Sequence, residues 1–225
     1  MRYGILRRLR KGDRLCLWPT FRCQLDCSHC GPLLVAGGMK RNKLGYELTV
    51  DEFIDVVDQF IERHETQEVL ISGGEPSLYN GIGELIERII HDHRLCCTVF
   101  TNGMSDRLAQ VRTHDRLRLV VNYHHHTDRE VFLANLSRFR DAHAHVQLKE
   151  LGCAYIDETE TVKKVYGREF IYDDDCNARW QIANDGTVHP HFLLMMRHLS
   201  GDGSWMKMLN AHHRAGCTRE DWHEH

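Results

Sequence analysis

Residues 13–30 read DRLCLWPTFRCQLDCSHC. The opening DRLCLWP, residues 13–19, is a short apolar run ended by proline and predicts a first β-strand. A loop follows in which Cys23, Cys27 and Cys30 stand with three and then two residues between them. A loop this compact can aim three thiolates at one point, as a metal or cluster site requires. A structural zinc site closes with four ligands, commonly two CxxC pairs, and no partner pair stands elsewhere in the chain. A 4Fe–4S cluster normally takes four cysteines. Three leave one iron open for another ligand, which suits catalysis rather than structure.

Working outward from this loop, strand-like runs alternate with segments of helical period. Residues 51–64 predict a helix with Phe53, Ile54, Val57, Phe60 and Ile61 on one face, and Thr49 with Glu52 forms a capping box at its start. EVLIS (68–72) predicts the next strand, and Ile82, Leu85, Ile86, Ile89 and Ile90 mark the next helix. CCTVFT (96–101) and LRLVVNY (117–123) are strands separated by a short helical stretch. Thr127 and Glu130 match a second capping box, opening a helix with Val131, Phe132, Leu136 and Phe139 inward. HVQLKE (145–150) reads as a fifth strand and WQIA (180–183) as a sixth.

Repeated strand–helix units give a parallel α/β sheet, open or curled into a barrel. Residues 1–150 make most of it; residues 151–225 hold the last strand and a small, irregular C-terminal extension rich in His, Asp, Gly and Met. In such sheets chemistry gathers at the carboxyl ends of the strands. The cysteine loop follows the first strand. SGGEP, residues 72–76, follows the second, with glycines that let a backbone approach a ligand closely and a proline that fixes the exit of the turn. TNG, residues 101–103, closes the third. Asn122, Tyr123 and then His124, His125 and His126 end the fourth. Adjacent residues of an extended segment face opposite ways, so one histidine, His124 or His125, is expected to face the cavity as a substrate contact or proton carrier. The other reading is a solvated loop.

Cysteines spaced CxxxCxxC after the first strand of a β/α chain resemble the signature of the radical S-adenosylmethionine (radical SAM) superfamily. The resemblance implies a partial (β/α)6 TIM-like barrel and a 4Fe–4S cluster on Cys23, Cys27 and Cys30, with S-adenosylmethionine chelating the open iron. It implies that Gly73, Gly74, Glu75 and Pro76 bind the methionine amino group and that Thr101 and Asn102 lie close to the cofactor. Asn122 is then the candidate contact to the ribose hydroxyls. The residue before the third cysteine is usually aromatic and packs by the adenine; His29 stands there. The activity implied is reductive cleavage of S-adenosylmethionine to a 5′-deoxyadenosyl radical that abstracts hydrogen from a peptide, a nucleoside or DNA base, or a small metabolite. A reductant such as flavodoxin or ferredoxin would supply the electron.

The extension is similar to a truncated or degenerate SPASM or twitch element, whose pattern begins C-x9–15-G-x4-C. Nine residues separate Cys176 from Gly186, and His191 stands where the second cysteine belongs. Either Cys176, His191 and Cys217 ligate a second cluster or metal, or the extension has lost its cluster and caps the barrel. The missing CxxC-type continuation favours loss.

Composition sets the remaining bounds. The chain has 225 residues, 42% hydrophobic and 27% charged, enough for one full domain with a buried core. A net charge of -3 gives no global basic field for nucleic acid, and the basic run from Arg7 to Arg14 reads as a solvated face. Residues 1–15 lack the long apolar run of a secretory signal, and no apolar stretch is long enough to span a bilayer. A cytoplasmic, reducing setting is therefore expected. There, nine cysteines and 17 histidines point to metal binding rather than disulfides. Cys16, Cys96, Cys97 and Cys153, on apolar strands or their ends, read as small hydrophobes. The alternatives in other classes are a non-catalytic zinc or iron–sulfur module and a glycyl-radical activating enzyme.

Overall fold

The computed structural model describes residues 14–25, 47–64, 66–124, 127–150, 180–183, 186 and 188–189. Among these residues seven strands form one sheet: β1 (Arg14–Leu17), β2 (Glu68–Ile71), β3 (Cys96–Thr101), β4 (Leu117–Tyr123), β5 (Val146–Glu150), β6 (Trp180–Ile182) and β7 (Val188–His189). Three α-helices are described: α1 (Val50–Ile61) joins β1 to β2, α2 (Ile82–His91) joins β2 to β3, and α3 (Arg129–Ala142) joins β4 to β5. The short helical stretch expected between β3 and β4 is a 3₁₀ turn, Arg107–Gln110.

The sheet order is β5-β4-β3-β2-β1-β6-β7. Strands β1 to β5 are parallel neighbours in chain order, with Leu17 opposite Ile71, Ile71 opposite Val99, and Val99 opposite Leu119. The sixth strand pairs with β1, also parallel, rather than with β5. Among the described residues the edge strands of the sheet are therefore β5 and β7. β7 then turns back antiparallel to β6.

The helices are amphipathic and cover one face of the sheet. Phe53, Ile54 and Val57 of α1 and Leu85, Ile86 and Ile89 of α2 are buried in one cluster with Leu15, Leu17, Val69, Ile71, Val99 and Leu119. Each such side chain contributes about 1.5–3 kcal/mol on burial, so this cluster outweighs any single polar contact in the fold. The capping box at Thr49 and Glu52 is present, both bonds made.

The second capping box is not. Asp128 caps α3 instead, its Oδ1 accepting from the backbone N–H of Glu130 at 3.0 Å and of Val131 at 3.1 Å. Thr127 turns its hydroxyl to the His124 carbonyl at 2.7 Å. The helix therefore presents Phe132, Asn135, Leu136 and Phe139 to the core, while Val131, expected inward, is 40% exposed. A charged carboxylate aimed at free N–H groups displaces a hydroxyl as the cap.

Candidate active site

Parallel pairing brings the carboxyl ends of β1 to β4 to one edge of the sheet. Pairing between the first two continues past their ends. Ser72 N–H donates to the Leu17 carbonyl at 2.9 Å, Gly74 N–H to Thr20 at 2.9 Å, and Glu75 N–H to Arg22 at 2.8 Å. The segment leading into Cys23 thus lies backbone to backbone against SGGEP. Only glycine permits that approach. A Cβ on Gly73 would sit 2.3 Å from the Thr20 carbonyl oxygen, and one on Gly74 would sit 2.3 Å from that of Arg22. Gly73 also holds φ at +134°, a conformation that side-chain-bearing residues rarely adopt.

Glu75 is fully buried and its carboxylate is used inside the protein. Oε1 accepts from the Thr101 hydroxyl at 2.7 Å and from Ser77 N–H at 3.1 Å; Oε2 accepts from Asn102 N–H at 2.7 Å. An unpartnered buried carboxylate would be costly, and these donors offset that cost while tying SGGEP to TNG. Burial pushes the Glu75 carboxyl above the usual carboxylate range, and the donors of Asn102, Thr101 and Ser77 oppose the shift without cancelling it. Pro76 is buried at the start of a 3₁₀ turn, Pro76–Leu78.

Asn102 carries the contact onward. Its Oδ1 accepts from Met104 N–H at 3.0 Å and from Gln24 Nε2 at 3.3 Å. Its Nδ2 donates to Cys23 Sγ at 3.6 Å, and Leu25 N–H donates to the same sulfur at 3.4 Å. Buried Trp18 and Phe21 stack at 5.5 Å just before Cys23, and Leu25 is buried just after it. Behind TNG, Asn135 of α3 donates to the Gly103 carbonyl at 3.0 Å.

Asn122, on the end of β4, is half-buried, and its Oδ1 is buried with no hydrogen-bond partner among the described residues. A buried acceptor left open is uncommon in a folded protein and fits a hydroxyl-bearing ligand. A cysteine sulfur held by two donors fits an anionic thiolate ligand of a cluster. The described residues thus suit the implied cofactors. Cys27, His29, Cys30, His125, His126, Cys153, Cys176, His191 and Cys217 lie outside the described residues. The remaining cysteines are poor metal ligands, because burial pushes the Cys16 thiol up to about 12 and shifts Cys96 and Cys97 upward as well.

The sequence model of the Radical SAM superfamily matches residues 19–144, more than half of the chain. The chain belongs to the radical SAM superfamily. Enzymes of this superfamily use a 4Fe–4S cluster and S-adenosylmethionine, and these are the cofactors of this radical SAM enzyme. Among solved structures, Streptococcus suis SuiB bound to precursor peptide SuiA is similar with a TM-score of 0.52 and 14% identity, covering 91% of this chain and 47% of that one. TYW1 with a lysine-pyruvate adduct bound has a TM-score of 0.41 and 16% identity, covering 84% of this chain and 71% of that one. The chain spans between 47% and 61% of the three SuiB chains. A search of curated proteins finds no match.

Three features of the site were not read from the sequence. Asn135 carried a usable signal, since it stands on the apolar face of a helix beside Leu136 and Phe139. The Gln24 contact with Asn102 and an ion pair of Arg22 Nε with Glu47 Oε1 at 2.7 Å carried none, because both join residues far apart in the chain.

Proposed function

We propose that this radical SAM enzyme cleaves S-adenosylmethionine reductively, with Cys23, Cys27 and Cys30 holding the cluster and the ends of β2 to β4 holding the nucleotide. One observation carries the reading: the hydrogen-bonded line Glu75–Asn102–Cys23 joins SGGEP and TNG to the cysteine loop. Bound there, the cluster and S-adenosylmethionine supply one-electron cleavage of a carbon–sulfur bond and a 5′-deoxyadenosyl radical for hydrogen abstraction. The protein positions them. Gly73 and Gly74 keep the loop close to β2, Glu75 fixes the TNG turn, and the open Oδ1 of Asn122 accepts from a ribose hydroxyl.

The substrate is a peptide, a nucleoside or DNA base, or a small metabolite. The peptide class is the first to test, because the similar SuiB structure carries a precursor peptide. A flavodoxin- or ferredoxin-like reductant supplies the electron, in a cytoplasmic setting. No helix among the described residues is long and apolar enough to cross a membrane.

The deciding experiment is anaerobic reconstitution followed by reduction with S-adenosylmethionine present. About four irons per chain and slow formation of 5′-deoxyadenosine without substrate support the reading. Zinc in place of iron, with no cleavage, overturns it in favour of a metal-binding module.

A further inference from the structure

We infer that Asn102 is a positioning residue for the cluster, its side-chain amide donating to Cys23 Sγ and raising the reduction potential. The inference rests on the proposed role of Cys23 as a cluster ligand.

The orientation of the amide follows from its neighbours. Met104 N–H can only donate, and it lies 3.0 Å from one end of the Asn102 amide, which must therefore be the oxygen. The nitrogen is left facing Cys23 Sγ at 3.6 Å. Gln24 Nε2 reaches the same oxygen and holds the same orientation. The backbone below is equally fixed, since Asn102 N–H is bound by the buried Glu75 carboxylate at 2.7 Å. Asn102 itself is 5% exposed, so water competes little for its donor.

A donor aimed at a ligand sulfur interacts more strongly when the cluster gains negative charge. It favours the reduced state, and hydrogen bonds to sulfur are among the levers that set cluster potentials. The same residue spans the SGGEP carboxylate and the sulfur, so displacement of one is felt at the other.

The test is an anaerobic redox titration with dithionite and mediators, followed by electron paramagnetic resonance, on the reconstituted parent, Asn102→Ala and Asn102→Asp. Asp accepts from Met104 N–H as Asn does, so it keeps the turn, but it puts a negative charge rather than a donor beside the sulfur; Asn102→Ala removes the donor without adding charge. Both variants are expected to keep their iron and to become harder to reduce, Asn102→Ala by about tenfold in the one-electron equilibrium or about 59 mV and Asn102→Asp by more. Asn102→Ala at the parent potential would overturn the inference, since the amide would then have no effect on the cluster. Loss of iron from both variants would also overturn it, because Asn102 would be holding the loop rather than tuning it. A failed cluster assignment shows separately, as iron retained with an unchanged spectrum in Cys23→Ala.

Discussion

The Arg22 guanidinium grips the Glu47 carboxylate with both arms, Nε to Oε1 at 2.7 Å and Nη2 to Oε2 at 2.8 Å. Nη2 also donates to the Leu78 carbonyl at 2.6 Å, and Thr20 Oγ1 bonds the same Glu47 carboxylate. The clamp therefore joins the two described segments on either side of residues 26–46, the stretch of sequence that contains Cys27 and Cys30. Arg22 is about half exposed, so solvent screens the pair and its worth to global stability is small, about 0–1 kcal/mol. Its geometric effect is larger, because the bidentate fork admits one arrangement. Arg22→Ala is expected to leave the melting temperature almost unmoved and to speed iron loss to a chelator several-fold. Arg22→Lys, which keeps charge without the fork, should lose iron at an intermediate rate. Parent-like iron release in Arg22→Ala would show that the clamp does not support the loop.

Gly74 tests the contact between SGGEP and the cysteine loop. A Cβ there would meet the Arg22 carbonyl oxygen at 2.3 Å and the Phe21 carbonyl oxygen at 2.5 Å. Backbone on both sides cannot rotate away as a side chain can, so the strand ends must separate. Overpacking of this kind costs about 1–3 kcal/mol. Gly74→Val is expected to lower stability in urea unfolding and to reduce iron content as well as cofactor affinity. An iron content equal to the parent, with weakened cofactor binding alone, would mean that the loop tolerates the displacement.

Glu75 gives the site a pH dependence. Its folded-state pKa lies above the ordinary 4.5, chiefly through burial. The folded chain then holds the proton more tightly than the unfolded chain, so this group's contribution is complete below the unfolded pKa and declines as pH rises through the folded one. Glu75→Gln removes the titration but replaces one acceptor oxygen by a donor facing Asn102 N–H or the Thr101 hydroxyl, a mismatch costing about 1–3 kcal/mol. The stability difference between parent and Glu75→Gln is expected to be largest at the acid end of a range that starts near the ordinary 4.5 and to shrink as pH rises. Urea unfolding across that range measures it, and a difference that grows with pH would reverse the assignment.

Much of this was legible because apolar periodicity is a local property. The runs CCTVFT and LRLVVNY became β3 and β4 at the positions their composition indicates, and Ile82 through Ile90 became the buried stripe of α2. The strand-end motifs were legible for the same reason, since each is contiguous in the chain. Partner choice was not. WQIA reads as a strand, but nothing in it states that it pairs with β1 rather than β5. At α3, Thr127 and Asp128 are both competent caps one residue apart, and the hydrogen bond from Thr127 to the His124 carbonyl settles the choice in three dimensions. SGGEP reads as a ligand turn, whereas the structure adds a second reason for its glycines, the carbonyls of Thr20, Phe21 and Arg22.

The start of the extension bears on whether a second cluster exists. β6 pairs with β1, Trp18 N–H donates to the Ile182 carbonyl at 2.9 Å, and Ile182 and Ala183 are fully buried. β7 then pairs with β6. The described residues of this hairpin are joined to the sheet by backbone hydrogen bonds and apolar burial, whereas small metal-dependent elements take their folding energy from the metal. Only two cysteines, Cys176 and Cys217, follow residue 170, short of the four an independent cluster normally takes. Cys176→Ser and His191→Ala are therefore expected to keep the iron content and spectrum of the parent after anaerobic reconstitution. Cys23→Ala, Cys27→Ala and Cys30→Ala should each lose most of about four irons per chain. Loss of about four irons in Cys176→Ser, with the spectrum of the loop cluster retained, would establish a second cluster in the extension.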